Sequence, residues 1–354
     1  MRSIGELRWT LLRHAVYGTA LLAAPILLAP VAVVAQTCTS QAKMTPVQRN
    51  DVAAATLRLA NAVVSGDSNA VQAATIPQYA TNFAQTAYLI RTTSSQLAGN
   101  ALTLSQAYLL DASNRTANET AEANFSCPLT GTAAETDFAI AGLPPGRYAF
   151  TMAEASGPNP FLLSFLLQAD ASGSGWKMAG FYPHRRDVAG HNGVWYWDAA
   201  RSDAKAGKIW LAWVLYGEAD QLLRPANFVS STNLDRLRSE LRTATPPTLS
   251  DGLSAATPLA LSGANGAEFR ITELRSEASD DGKHLNLIVH LRADPASGSG
   301  TDAATTRNLA AASALLSAHP DLRSGFDQIW VVADNTGADP FVTERPMSEI
   351  AASK

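Results

Sequence analysis

Cysteine is nearly absent: the 354 residues contain two, Cys38 and Cys127. Two sulfurs so far apart make no zinc site by themselves, which leaves one disulfide as the chemistry they support in an oxidising compartment. Charge is scarce as well, at 16% of residues against 46% hydrophobic, so the chain reads as globular with a weakly charged surface. Setting aside three Arg and one Glu in the first thirty-five residues leaves 24 basic against 30 acidic residues, a net charge of −6. No Lys/Arg run follows, which excludes nucleic acid and anionic lipid as electrostatic partners. A neutral or cationic small molecule, or another protein, stays open. Established catalytic signatures are missing too: there is no G-x-S-x-G elbow, no H-E-x-x-H and no Cys-His-Asn set. Neither a metal nor a cofactor is expected.

The one long apolar run lies at the start. Arg2, Arg8 and Arg13 precede an uncharged stretch from Ala15 to Ala35, which closes on the small-residue exit Val33-Val34-Ala35. Basic, apolar and small-residue regions in that order read as a secretory signal peptide cleaved after Ala35. A stretch of about twenty residues could span a bilayer, but Pro25, Pro30 and the exit favour cleavage. Thr37 just before Cys38 disfavours a lipoprotein. The mature protein is therefore expected in the periplasm or outside the cell, touching membrane only in transit. It keeps 319 of the 354 residues, enough for two domains.

Thr45-Pro46-Val47-Gln48 starts a helix, with Thr45 and Gln48 forming a capping box and Pro46 at the first helical position. Val52, Ala55, Leu59 and Val63 follow on one stripe. A short helix over Ser68 to Thr75 stops before Pro77, and Gln78 to Leu97 reads as a third. After Gly99-Asn100 the text becomes strand-like: Ala101–Leu110, Ala123–Pro128, Thr136–Ile140, Arg147–Ala153, Phe161–Ala169 and Trp176–Tyr182, separated by Gly, Pro, Asn and Asp. Helices on one face of a mainly antiparallel sheet make the fold class α+β. From Gly193 to Arg242 the text is helical again. Thr245 to Gly266 is rich in Pro, Gly, Ser and Ala and reads as a linker. Beyond it Glu268–Leu274, Leu285–Leu291, a helix over Ala303–Ala318, Gln328–Ala333 and Phe341–Glu344 make a small ββαββ unit. The expected organisation is a leader (1–35), an α+β domain (36–192), a helical hairpin packed on it (193–244), a linker (245–266) and a second α+β domain (267–354).

Two resemblances rest on short stretches. Ala62-Val63-Val64-Ser65-Gly66-Asp67 closing a first helix, a second helix near Ala70, and a meander closing on Trp176-Lys177-Met178-Ala179-Gly180-Phe181 resemble an NTF2-like (cystatin-like cone) domain over about a third of the chain. That resemblance implies a sheet able to enclose a pocket, and a binding or accessory role rather than an activity. Leu143–Tyr148 is also similar to a strand entry of carboxypeptidase-regulatory-type β-sandwiches. Ala204-Lys205-Ala206-Gly207-Lys208 with Ala212, Tyr216 and Ala219 resembles one tetratricopeptide-type hairpin, without a second copy. The whole chain looks like an uncharacterised secreted bacterial family, which supplies no catalytic residues.

The densest polar and aromatic text runs from Phe181 to Trp213. His184, Asp187 and His191 are the candidate catalytic residues, with His191 as general base and Asp187 orienting it. As metal ligands the same three are disfavoured by Arg185 and Arg186 between them. Arg185, Arg186, Trp195, Trp197, Trp210, Trp213 and Tyr216 are the candidate ligand or partner surface. Read instead as packing, the arginines form a solvated turn, His191-Asn192 cap a helix and the indoles fill a seam. Weighed together, these features point to an exported binding or protein-interaction module, with a hydrolase or isomerase using a His-Asp site at the mouth of the sheet pocket as the alternative.

Overall fold

The capping box at Thr45 forms as its residue types dictate. In the computed structural model, Gln48 N–H donates to Thr45 Oγ1 at 3.2 Å and Thr45 N–H to Gln48 Oε1 at 2.9 Å, opening helix α1 (Pro46–Val64). The structure describes residues 36–350 other than 98, 117–118, 130, 171–174, 264–265, 294–300 and 336–338, so the expected leader lies outside the described residues. Val52, Ala55, Leu59 and Val63 are buried along one face of α1. Asp67 caps α2 (Ser68–Ala73), and the expected third helix is two: α3 (Pro77–Ala80) and α4 (Ala84–Ser94). The break falls where Thr81 turns its hydroxyl back onto the Pro77 carbonyl at 2.9 Å.

Those helices cover one face of a five-stranded antiparallel sheet in the order β1 (Thr37–Ser40), β2 (Ala101–Asp111), β5 (Arg147–Ser156), β6 (Phe161–Ala169), β7 (Trp176–Arg185). Between β2 and β5 the chain makes β3 (Ala123–Pro128) and β4 (Glu135–Ile140), which lie on the opposite face. Ala149, Ala153, Leu163, Phe165, Leu167 and Met178 point to the helices, while Tyr108, Leu110, Tyr148, Phe150 and Leu166 point to β3 and β4. Burial on both faces explains why β6 reads FLLSFLLQA almost without alternation. Cys38 and Cys127 are bonded, tying β1 to β3 across 89 residues with Cα atoms 5.3 Å apart.

After β7 come a two-stranded ribbon, β8 (Asp187–Val188) and β9 (His191–Asn192), then α5 (Gly193–Lys205) and α6 (Ile209–Leu223). A short strand, β10 (Val229–Ser231), pairs with β4 before α7 (Thr232–Thr243). The C-terminal sheet is β11 (Leu259–Ser262), β12 (Glu268–Ala278), β13 (Leu285–Ala293), β14 (Gln328–Asn335) and β15 (Phe341–Pro346), in that spatial order. The expected ββαββ order is there: α8 (Thr301–Ala318) crosses between β13 and β14, whose pairing is the parallel one.

Two expectations about organisation are corrected. The helical hairpin buries its apolar stripe against the C-terminal sheet and not against the preceding one. Leu211, Leu215, Ala219, Leu222 and Leu237 share a core with Ile271, Leu274, Leu287, Val289 and Ile329 of the C-terminal sheet. The stretch expected as a linker enters that same core through Leu249, Leu259 and Leu261. Apolar periodicity states that α6 must bury a stripe, but not against which sheet. The result is an α+β protein, and among the described residues no helix is long and apolar enough to cross a membrane.

Candidate functional site

The ribbon that carries three candidate residues turns through Ala189 and Gly190, with φ of 49° and 76°. Two consecutive positive φ values suit a two-residue hairpin turn, and Ala189 N–H reaches the Gly282 carbonyl at 2.8 Å. Val188 pairs with His191 and Asp187 with Asn192. Residues opposite one another share a face and neighbours alternate, so Asp187 and His191 project from opposite faces. The expected His191–Asp187 pair is therefore not assembled. His191 instead stacks on Trp195, ring centroids 3.6 Å apart and 8° from parallel. Asn192, not His191, caps α5 by accepting from Trp195 N–H at 3.0 Å.

Most of the expected ligand surface is a packing seam. Trp197 donates Nε1–H to Glu240 Oε2 at 2.7 Å, and Arg201 grips the same carboxylate at 2.7 and 2.8 Å while lying 4.2 Å over the Trp197 ring. That guanidinium holds the Glu240 carboxyl down to about 2. Trp210 stacks on His319 at 3.8 Å and meets Trp213 edge-on at 6.4 Å, and Tyr216 is buried. Asp321 accepts from both Trp210 and Leu211 N–H, at 3.0 and 3.1 Å, supplying from a distant segment the cap that Lys208 lacks. Arg186 pairs with Glu154, and Arg185 donates to the Asp280 carbonyl with its guanidinium 5.4 Å over Phe161. Trp195, at 46%, and the Arg186 side chain, at 45%, stay substantially open.

His184 is placed differently. It sits near the end of β7, opposite Leu162, and lines a cleft of about 610 Å³ between that strand, α6 and the β12–β13 turn. Burial first, then the positive charges of Arg186 and Arg224, holds its imidazole down to about 4, so the ring is neutral at pH 7. Asp187 does not line this cleft. Sequence reading missed the other polar groups there. Glu218, 3% exposed, accepts from Ser276 Oγ at 2.6 Å, and burial raises its carboxyl above the usual range. Arg224 lies alongside, paired with Asp220 at 3.1 Å. Gln96 also lines the cleft and buries Oε1 without a hydrogen-bond partner. A signal for Glu218 was available: it falls on the Leu211-Leu215-Leu222 stripe of α6, where a carboxylate is out of place.

A second cavity of about 550 Å³ opens where α3, the central sheet and the end of β4 meet, walled by Tyr79, Tyr148, Tyr182 and Phe228. Tyr182 and Asn227 line both cavities. Among the described residues no cluster of three or more His, Cys, Asp or Glu side chains could hold a metal ion. Comparison with family models, curated proteins and solved structures finds no match for this chain.

Proposed function

We propose that this is an exported binding protein whose ligand occupies the His184 cleft. The carrying observation is that neutral His184, Gln221 and Gln96, none with a side-chain hydrogen bond among the described residues, line one cleft of about 610 Å³. That size falls within the roughly 300–1,000 Å³ of small-molecule sites, which combine apolar walls with a few polar groups. Export rests on the leader and fits the Cys38–Cys127 bond, since disulfides persist in oxidising compartments. An NTF2-like first half draws support from the helices laid on one face of an antiparallel meander.

Native mass spectrometry of protein exported from its own leader and purified without denaturation tests this reading. A retained small molecule that His184→Ala releases is expected. A protein that retains nothing, and that no member of a metabolite library shifts in thermal unfolding, overturns it. An acid–base enzyme is the second reading, favoured by His184 and Glu218 lining one cleft. Turnover abolished by Glu218→Gln with binding intact would establish it.

A further inference from the structure

The two large cavities are separated by little. Tyr182 and Asn227 contribute to both, so the cavity beside His184 and the one beside Tyr79 and Tyr148 adjoin across the Tyr182 ring. Each half alone is the size of a small-ligand site, about 610 and about 550 Å³. Along this path four side-chain amides, Gln221, Asn227, Gln168 and Gln78, make no hydrogen bond among the described residues. Phenol rings alternate with them: Tyr182, held edge-on to Phe228 at 5.2 Å, and Tyr79, which is 58% exposed.

Charge along the path is mixed in sign. Arg224 is paired with Asp220 and Glu277 with Arg275, while Arg185 donates to the Asp280 backbone carbonyl and lies in the field of the Asp187, Asp280 and Asp281 carboxylates. His184 is neutral, and burial favours the protonated form of Glu218. Among the described lining residues the charges of both signs, Arg185 and Asp280 included, lie side by side, so no patch of one sign is presented to select an anion or a cation. The adjoining strand β4 is hydrogen-bonded along both edges, by β3 and β10. In contrast β7, which lines both cavities, is an edge strand whose outer side carries an isolated bridge at Thr75–Met178. An extended peptide adding along β7 is therefore the competing ligand that titration must separate. Side chains without a hydrogen bond along the path, among the described residues, include the four amides, which give and accept hydrogen bonds and alternate with ring faces.

From this juxtaposition we infer that the two cavities form one groove for a neutral, linear oligosaccharide, whose hydroxyls meet the amides and whose sugar faces lie on Tyr182 and Tyr79. The inference rests on the binding reading above and names its ligand class. The test is calorimetric titration of the full exported protein with cellohexaose, maltohexaose, xylohexaose and N-acetylchitohexaose, each beside its disaccharide. At least one hexasaccharide should bind about tenfold or more tighter than its disaccharide, and Gln221→Ala and Gln168→Ala, at opposite ends, should each weaken it about tenfold. Both positions are solvent-accessible, and unchanged unfolding midpoints confirm that the variants fold. Equal affinity for hexasaccharide and disaccharide overturns the continuous groove. Binding of a neutral Gly/Ser/Asn octapeptide in place of every sugar overturns the ligand class. No sugar binding alongside a retained small molecule overturns the oligosaccharide and leaves the binding reading standing; neither sugar nor retained ligand overturns both.

Discussion

Replacing His184 by Gln should flatten the acid side of the stability profile. The folded imidazole is held at about 4 against an ordinary 6.5 because it is buried beside Arg186 and Arg224. Between those values the unfolded chain binds a proton that the folded chain refuses, so stability falls as pH drops from about 6.5 through 4. A separation of about 2.5 pH units corresponds to roughly 3 kcal/mol, with no discount for exposure because the ring is largely buried. Glu218 works the other way: its raised carboxyl means that stability is lost as pH rises above the ordinary carboxylate range. Because Glu218 is common to both proteins, the difference between wild type and His184→Gln isolates the histidine. Urea unfolding followed by tryptophan fluorescence, at half-unit steps from pH 7.5 to 4, supplies that difference. The wild type should lose about 3 kcal/mol more than the variant over the range. Parallel curves would show that His184 protonates freely in the folded protein, and the neutral, desolvated cleft would then be wrong.

Glu218→Gln should gain stability relative to wild type as pH rises from 4.5 to 8, since the amide keeps an acceptor for Ser276 and cannot ionise; a loss at pH 8 counts against the buried-acid assignment. Cys38→Ser with Cys127→Ser releases a loop of 89 residues, and the chain-entropy model puts the cost at ~4–5 kcal/mol, a drop of roughly 6–8 °C in the melting temperature of a chain this long. An unchanged midpoint would refute it. Asp321→Ala should cost about 1–2 kcal/mol by stripping the cap from the first turn of α6, while Asp321→Asn should retain most of the stability; chemical denaturation distinguishes the two. Gly180→Ala would place a Cβ 2.4 Å from the Tyr182 hydroxyl and 2.9 Å from its ring. It should cost about 1–3 kcal/mol by overpacking and weaken whatever ligand the groove holds, as unfolding and titration would report.

Local chemistry was legible in the chain, and long-range partnership was not. Thr45 and Gln48 announce a helix start because both halves of the capping box lie within four residues. The strand runs and the ββαββ order follow from alternation and turn residues, which are equally local. What defeated the reading was the choice of partner. The α6 stripe is equally apolar whichever sheet receives it, and Asp321, which caps α6, lies 110 residues beyond Leu211. The pairing of β10 with β4 rests on three residues with no pattern of their own.

The site shows the same limit more sharply, in a single residue of β7. Strict alternation would put Trp176, Met178, Tyr182 and His184 on one face, buried under the helices. The register slips between Leu166 and Leu167, which face Gly180 and Met178, so Ala179 becomes the extra residue of a bulge. Trp176 and Met178 therefore pack under the helices, whereas Tyr182 packs with the opposite layer. Gly180, next to the bulge, leaves the room in which the Tyr182 ring lies back along the strand. The groove thus owes its dividing ring to a one-residue irregularity, and composition and period cannot encode such a shift. His191, conspicuous in the text, is spent on stacking Trp195, whereas His184, one alternation beyond Tyr182, faces the cleft.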